Sequence, residues 1–533
     1  MESKNHSMTT RKKFLLLTVA SLTGAILLAL SFPKWDYSFL AWIALIPLIY
    51  AMKENARASF FYGFIYGVVC NYITFYWVVQ VIDDYSNLPL ILALLLNLLL
   101  SFYLALYWGV WTWSGSYFLK TLGSGAIWIL PFLWIVLEYI RSYFLTGFPW
   151  CLLGYSQYRF TSLCQIASIA GVYGISFTIV AANCVLCILF FKRMRHRYWY
   201  GAIIVVVLYV ALAVTWGNLR VRNYHDNNAV ETVGIIQGNI PQDLKWLVYL
   251  SDAHFKKHLI LTGSAISNGA KLIIWPEAAI TIFFLEDKDK QNEIMHIVKE
   301  SNVGILFGGD YRNESDSKVN YYNSAYFINP DDHTIQLYSK MHLVPFGEYV
   351  PLKKLLWFVD KFVEGVSDFS AGREYILFNY KNHRISTQIC YEIIFPEISR
   401  AFVKKGSELL TTITNDAWFG ETSAAYQHFA MATIRTIENK RYLVRSANTG
   451  ISGIINPVGR IIHESDVFTE FVIIDKISFL KEHTFYTKYG DWICYLSICM
   501  MLLSMIIAVR IQKRKVKVEV KVNFFLNFIL YLS

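Results

Sequence analysis

Apolar runs long enough to cross the ~30 Å hydrocarbon core of a bilayer, which takes about 20 helical residues, follow one another through the first two-fifths of the chain. They fall near 14–32, 37–52, 60–82, 88–113, 127–144, 164–191 and 200–219, with one more near 492–509. The pattern predicts about eight spans, of which the run at 37–52 is the least secure. Between 220 and 490 it changes. Short β-branched runs at 232–237, 272–275, 303–307, 384–389 and 409–414 read as buried strands, alternating with helical patterns at Ser251–Ser267, Lys288–Ser301 and 428–440. The expected organisation is a membrane domain at 1–219, an α/β domain at 220–490, and a last span with its tail at 491–533. After Val518 charged and apolar residues alternate and then give way to an apolar end, a pattern with no clear structural reading.

Composition agrees with the spans. The 533 residues are 55% hydrophobic and only 17% charged, too apolar for an ordinary soluble protein of this length. The net charge of +10 is spread between apolar segments and the chain ends, not gathered on one dense face, so it argues against a nucleic-acid partner. Its distribution instead sets topology, because basic residues in short loops stay in the cytoplasm. Arg11, Lys12 and Lys13 place the amino terminus inside. Lys53 with Arg57, Lys120, and the cluster Lys192, Arg193, Arg195 and Arg197 place alternate loops there too, while Asp83 and Asp84 fall outside. Arg141 and Arg159 dissent. Seven crossings leave the α/β domain outside, and the last span returns the chain to Arg510, Lys513, Arg514, Lys515 and Lys517. No small-x-small cleavage site follows the first run, so it reads as a retained span.

Among the eight cysteines only Cys390 lies between Cys187 and Cys494, so no disulfide forms within that exported stretch. A lone exported thiol is either buried or used. It ends the run from Arg384 and is followed by Tyr391 and Glu392. Two further runs end on chemistry. Leu272-Ile273-Ile274-Trp275-Pro276-Glu277 delivers a carboxylate at a strand end, where such a residue alone more often caps a helix. In Tyr338-Ser339-Lys340-Met341-His342-Leu343-Val344-Pro345-Phe346-Gly347-Glu348 a cation and a second carboxylate flank a turn, which alone reads as a solvated surface loop. His342 reads as a turn or core histidine. A papain-like set of Cys390, His428 and Asn415 lacks its local pattern, and no motif argues for a metal or a phosphate loop.

Taken together, Glu277, Lys340 and Cys390, in this order and in these contexts, resemble the carbon-nitrogen hydrolase, or nitrilase, superfamily, with Thr414-Asn415-Asp416-Ala417-Trp418-Phe419-Gly420 downstream. The resemblance covers nearly all of 230–474 and implies a four-layer αββα sandwich. Three stretches narrow it: Gly147-Phe148-Pro149-Trp150 with Gly154-Tyr155-Ser156-Gln157, Gln237-Gly238-Asn239-Ile240-Pro241-Gln242 with Lys245-Trp246, and 342–351. With the spans around one exported domain, they resemble the apolipoprotein N-acyltransferase family.

That resemblance implies a multi-pass inner-membrane enzyme without cofactor, its catalytic domain on the periplasmic side. It would move an acyl chain from a phospholipid, often phosphatidylethanolamine, through a Cys390 thioester to the amino-terminal diacylglyceryl-cysteine of an apolipoprotein. Glu277 would be the base, Lys340 the oxyanion partner, and Glu348, Tyr391, Glu392 and Trp246 supporting or substrate contacts. A membrane-anchored amidase or nitrilase-type hydrolase would share the triad. A transporter or receptor with an inactive domain would instead need ionisable residues within spans, where Glu138 is the main one. The run from Leu352 to Val363, with Lys353, Lys354 and Lys361 among apolar residues, reads either as a core helix or as an amphipathic segment at the bilayer surface.

Overall fold

The computed structural model describes residues 2–86, 88–191, 199–226, 230–315, 318–350 and 369–532. The run at 352–363 and the cluster at Lys192, Arg193, Arg195 and Arg197 lie outside the described residues.

Among the described residues six helices are long and apolar enough to cross a membrane: Arg11–Leu30, Leu90–Leu122, Ser124–Thr146, Ala167–Phe190, Tyr200–Arg222 and Trp492–Phe524. The runs expected as the second and third spans form instead a bent pair, Ser38–Glu54 and Ala56–Thr74, which meet at 118° and pass the same test only together. By length and composition the candidate spans among the described residues number six, or seven with this pair taken as one broken span. The reason is local: short helical turns interrupt the first arm before the nine-residue helix Ile46–Glu54, and Asn55 leaves helical geometry between the arms.

Each arm nevertheless runs the depth of the bundle. At one end Glu54 pairs with Lys13, and Lys53 donates to Ser124. At the other, the Ser38 carbonyl accepts from Gln157 and the Thr74 carbonyl from Gln427. The chain thus traverses the bundle seven times before the first strand. Lys13, Lys53 and Arg57 share the end remote from the sheets.

Among the described residues twelve strands follow: β1 Glu231–Gln237, β2 Leu272–Ile274, β3 Gly304–Ser315, β4 Lys318–Ile328, β5 Ile335–Ser339, β6 Phe378–Tyr380, β7 His383–Ile389, β8 Leu409–Thr414, β9 Leu443–Ala447, β10 Gly453–Ile455, β11 Ile461–Glu464 and β12 Phe471–Ile477. They make two six-stranded sheets, ordered β12-β1-β2-β3-β4-β5 and β11-β10-β9-β8-β7-β6. β1, β2 and β3 run parallel in the first, and β7, β8 and β9 in the second; the flanking strands are antiparallel.

β2 is apolar on successive residues because both of its faces are covered. Leu272 and Ile274 of β2 point into the core between the sheets, whereas Ile273 and the following Trp275 join Ile294 and Val298 of the helix Lys288–Ser301 in an outer core. The second sheet is covered by Pro396–Lys404 and Ser423–Asn439. The whole is a four-layer αββα sandwich beside a polytopic helical bundle.

The helix Ser423–Asn439 is buried at every residue except the half-buried Tyr426, because the bundle covers the face that the sheet does not. Gln427 is the polar hub of that junction. Its Oε1 accepts from the indoles of Trp77 and Trp150, and its Nε2 donates to the carbonyls of Pro33 and Thr74. The charges in the bundle near this end are structural too. Glu138 accepts from the Leu153 amide, and Arg141 donates to the carbonyls of Phe148 and Trp150, so both fix the loop that presents Trp150 to Tyr391.

Candidate active site

The three strand-end residues singled out by sequence converge where the sheets meet. β2 stops at Pro276, and Glu277 follows on a tight turn whose next residue, Ala278, adopts φ +47°. β5 delivers Lys340 directly after Ser339. β7 ends at Ile389, and Cys390 stands in the left-handed region at φ +51° before a helical turn through Ile394. A non-glycine residue there is strained, and such strain collects where a side chain must be aimed.

Lys340 is 1% exposed. Its Nζ lies 2.9 Å from Glu348 Oε1 and 3.7 Å from Glu277 Oε1. Burial opposes the ammonium, but Glu348 and then Glu277 outweigh it and hold it well above the usual lysine range. The site therefore keeps a fixed cation. Asn323 of β4 ties the carboxylates together: its Nδ2 donates to Glu277 Oε1 and to Glu348 Oε1, both at 2.7 Å. The Asn415 amide donates to Glu277 Oε2 at 2.7 Å, and the Val344 amide to Glu348 Oε2 at 2.8 Å. These contacts fix both carboxylates without charging them to a single partner.

The Cys390 thiol is held well above its ordinary value, first by burial and then by the Glu277 carboxylate, with Lys340 opposing. It rests as a thiol, beside a carboxylate that can take its proton and a cation that can hold the negative charge formed on a carbonyl oxygen under attack.

Glu392 and Tyr391 flank the nucleophile in different ways. Glu392 is fully buried and bridges the sheets: Oε1 accepts from the Tyr338 hydroxyl at 2.8 Å and the Met341 amide at 2.7 Å, Oε2 from the Ile389 amide at 2.8 Å. It thereby fixes the Lys340 loop relative to the Cys390 turn. Tyr391 faces the bundle, its ring against Phe395 and Trp150. His342 is half-buried, its ring 3.8 Å from that of Phe395, centroid to centroid, and tilted by 33°. Trp246 is 45% exposed at the site's edge, next to the buried Lys245.

The papain-like alternative fails on geometry. His428 Nε2 meets the carbonyl oxygen of Cys390, not its thiol, at 3.1 Å, while Nδ1 lies beside Asp416 and Arg445. Asp416, salt-bridged to Arg445 at 2.7 Å, completes a buried network that braces the Cys390 turn from behind. Asn415 serves Glu277.

Asn323 and the Asp416, His428 and Arg445 network escaped the sequence reading. A lone asparagine in a strand of a hairpin carries no mark of its role, and the network's members lie far apart in sequence. Asp416 lies in the Thr414–Gly420 stretch and His428 in the papain-like set, but nothing in the sequence joins them to Arg445.

Residues 24–185 match the family described as apolipoprotein N-acyltransferase N-terminal domain, and residues 232–481 match carbon-nitrogen hydrolase. Among curated proteins, one named apolipoprotein N-acyltransferase from Geobacter metallireducens is 38% identical, the match covering 89% of this chain and 92% of that protein. Proteins of the same name from Thermotoga maritima and Pseudomonas putida are each 30% identical over 92% and 93% of this chain, and over 93% and 97% of their own lengths.

Proposed function

The chain belongs to the apolipoprotein N-acyltransferase family, and we propose that Cys390, Glu277 and Lys340 perform its acyl transfer in two stages. In the first, Cys390 attacks an ester carbonyl of a membrane phospholipid such as phosphatidylethanolamine while Glu277 takes the thiol proton. Lys340 stabilises the oxyanion, an effect of about 3 kcal/mol for one preorganised donor. Collapse breaks the ester bond, and the departing lysophospholipid alkoxide receives the proton from Glu277, leaving a Cys390 thioester. In the second, the amine of a diacylglyceryl-cysteine at an apolipoprotein amino terminus attacks the thioester. Its proton passes through Glu277 to the departing sulfur, and an amide results.

The observation that carries this reading is the buried Lys340 cation shared by Glu277 and Glu348, in an acyltransferase family member whose nucleophile sits against a membrane bundle. Glu348 and Glu392 act as supports, and Tyr391 and Trp246 as contacts for the lipid substrates. Two lipid-borne substrates explain why the sandwich rests on a multi-span bundle rather than on a single anchor. Given phospholipid vesicles and a short diacylglyceryl-cysteine peptide, the purified protein is expected to add one acyl chain to the peptide. Release of free fatty acid with no gain in peptide mass would favour a hydrolase.

The division into a membrane domain at 1–219, a catalytic domain at 220–490, and a last span with its tail at 491–533 belongs to the same reading. So does its placement in the inner membrane with the sandwich on the periplasmic side, which the basic end at Lys13, Lys53 and Arg57 supports. A reporter active only outside the cytoplasm is expected to work when fused after Asn239 and to fail after Arg195. The reverse result would refute this orientation.

A further inference from the structure

Lys245 stands behind the turn that launches Glu277. It ends the short helix Gln242–Lys245, is 1% exposed, and its Nζ donates to the main-chain carbonyl of Glu277 at 3.0 Å. A buried ammonium is expensive unless compensated, and here its hydrogen-bond partner is a peptide oxygen rather than a carboxylate.

The opposite side of the same turn is pressed onto β3. Gly308 donates to the Pro276 carbonyl, and a Cβ at Gly308 would lie 2.6 Å from the Ala278 nitrogen and 2.7 Å from the Glu277 Cα. Only glycine allows that approach. Two residues on, Asp310 is the cross-strand partner of Asn323, the residue that bonds Glu277 and Glu348.

The charges facing this turn come from every element around it. β3 contributes Asp310, the loop after β5 Lys340 and Glu348, and the turn after β7 Cys390 with Asp416 beyond it. The helix Ser251–Ser267 contributes His254, His258 and Lys257 on the Lys245 side. Burial lowers Lys245 to about 8 against the pull of Glu277 and Asp310. Burial raises Asp310 to about 7, with Glu277 and Glu348 adding and Lys245 opposing. Lys340 is committed to Glu348 and Glu277, so Lys245 is the remaining cation at the base, while Asp310, raised to about 7, is largely neutral in the acid range.

Resting on the acyl-transfer reading above, we propose that Lys245 is a positioning residue for that reaction. It clamps the Glu277 carbonyl so that the strained turn holds the carboxylate at the thiol, and its charge keeps that carboxylate ionised between the two half-reactions.

The test is the pH dependence of single-turnover acylation from phospholipid, followed by intact mass, for the full-length wild type and three variants. Loss of the cation in Lys245→Met makes Glu277 easier to protonate, so the acid limb is expected to move about one unit to higher pH. Lys245→Gln, which removes the cation but keeps a donor for the Glu277 carbonyl, is expected to move the limb the same way with a smaller loss of rate. Lys245→Met should also lower kcat with KM for phospholipid little changed, and Lys245→Arg should restore part of the rate.

Limbs that stay in place in Lys245→Met and Lys245→Gln with unchanged melting temperatures overturn the proposal, as does a shift to lower pH. If Lys245→Met does not fold, Lys245→Gln decides alone: a limb at higher pH supports the proposal and an unmoved one rejects it. A wild type with no acid limb would instead remove Glu277 as the base, and the proposal with it.

Discussion

Cys390→Ala is expected to abolish acyl transfer, a loss on the order of 10⁴-fold or more, in a protein that still inserts and folds. The fold should survive because the replacement keeps the Cβ that the φ +51° turn already accommodates and the carbonyl that accepts from His428 Nε2. What disappears is the sulfur, and no other cysteine is available to replace it, since every other cysteine lies before residue 188 or after residue 493. Cys390→Ser should be nearly as inactive, because a hydroxyl is far harder to deprotonate than a thiol and Glu277 has only a carboxylate's basicity. Rates of peptide acylation measured beside far-ultraviolet spectra and thermal melts check both parts. An active, folded alanine variant would refute the mechanism.

Glu277→Gln is expected to reduce the rate of acyl-enzyme formation by about 10²- to 10⁴-fold. Two effects act together. The amide cannot take the thiol proton, and it cannot match its surroundings, because Glu277 accepts from Asn323 on one oxygen and from the Asn415 amide on the other. A glutamine must turn an NH2 group towards one of those donors. Single-turnover acylation followed by intact mass separates this step from the later transfer to amine. A rate within tenfold of the wild type would mean that another group accepts the proton.

The parts of this protein that could be read from sequence are those whose residues speak locally. β2 is a continuous apolar run, and β7 from Ile385 on and β8 are short runs rich in isoleucine and threonine that are buried on both faces, so Glu277 and Cys390, which leave the ends of β2 and β7, stand out. The helices Ser251–Ser267 and Lys288–Ser301 were legible because an apolar stripe repeats along them. β4, β9, β10 and β12 were not, since their short or mixed runs become strands only through pairing with distant partners such as β12 with β1. The helix Ser423–Asn439 was expected to begin five residues later, at His428. Its first turn carries polar residues that only the bundle buries, Gln427 above all.

The membrane part shows the same limit. Hydropathy finds the apolar runs on either side of Asn55, but not the short helical turns that interrupt the first of them or the 118° bend of the pair. The site's supporting residues lie at this limit too. Glu392 stands beside the nucleophile in sequence, yet its role as a bridge between the sheets rests on Tyr338, Met341 and Ile389, which no spacing rule brings together.

The central claim is that Cys390 carries the acyl group between two lipid substrates, and the intact mass of the full-length protein tests it most directly. After incubation with phospholipid of one defined chain length, the protein is expected to gain the mass of one acyl chain, lost on treatment with neutral hydroxylamine and mapped by peptide analysis to Cys390. Adding a diacylglyceryl-cysteine peptide should return the protein to its original mass while the peptide gains the same chain. Peptide acylation with no thioester on Cys390 at any time, under conditions that trap it, would contradict the account.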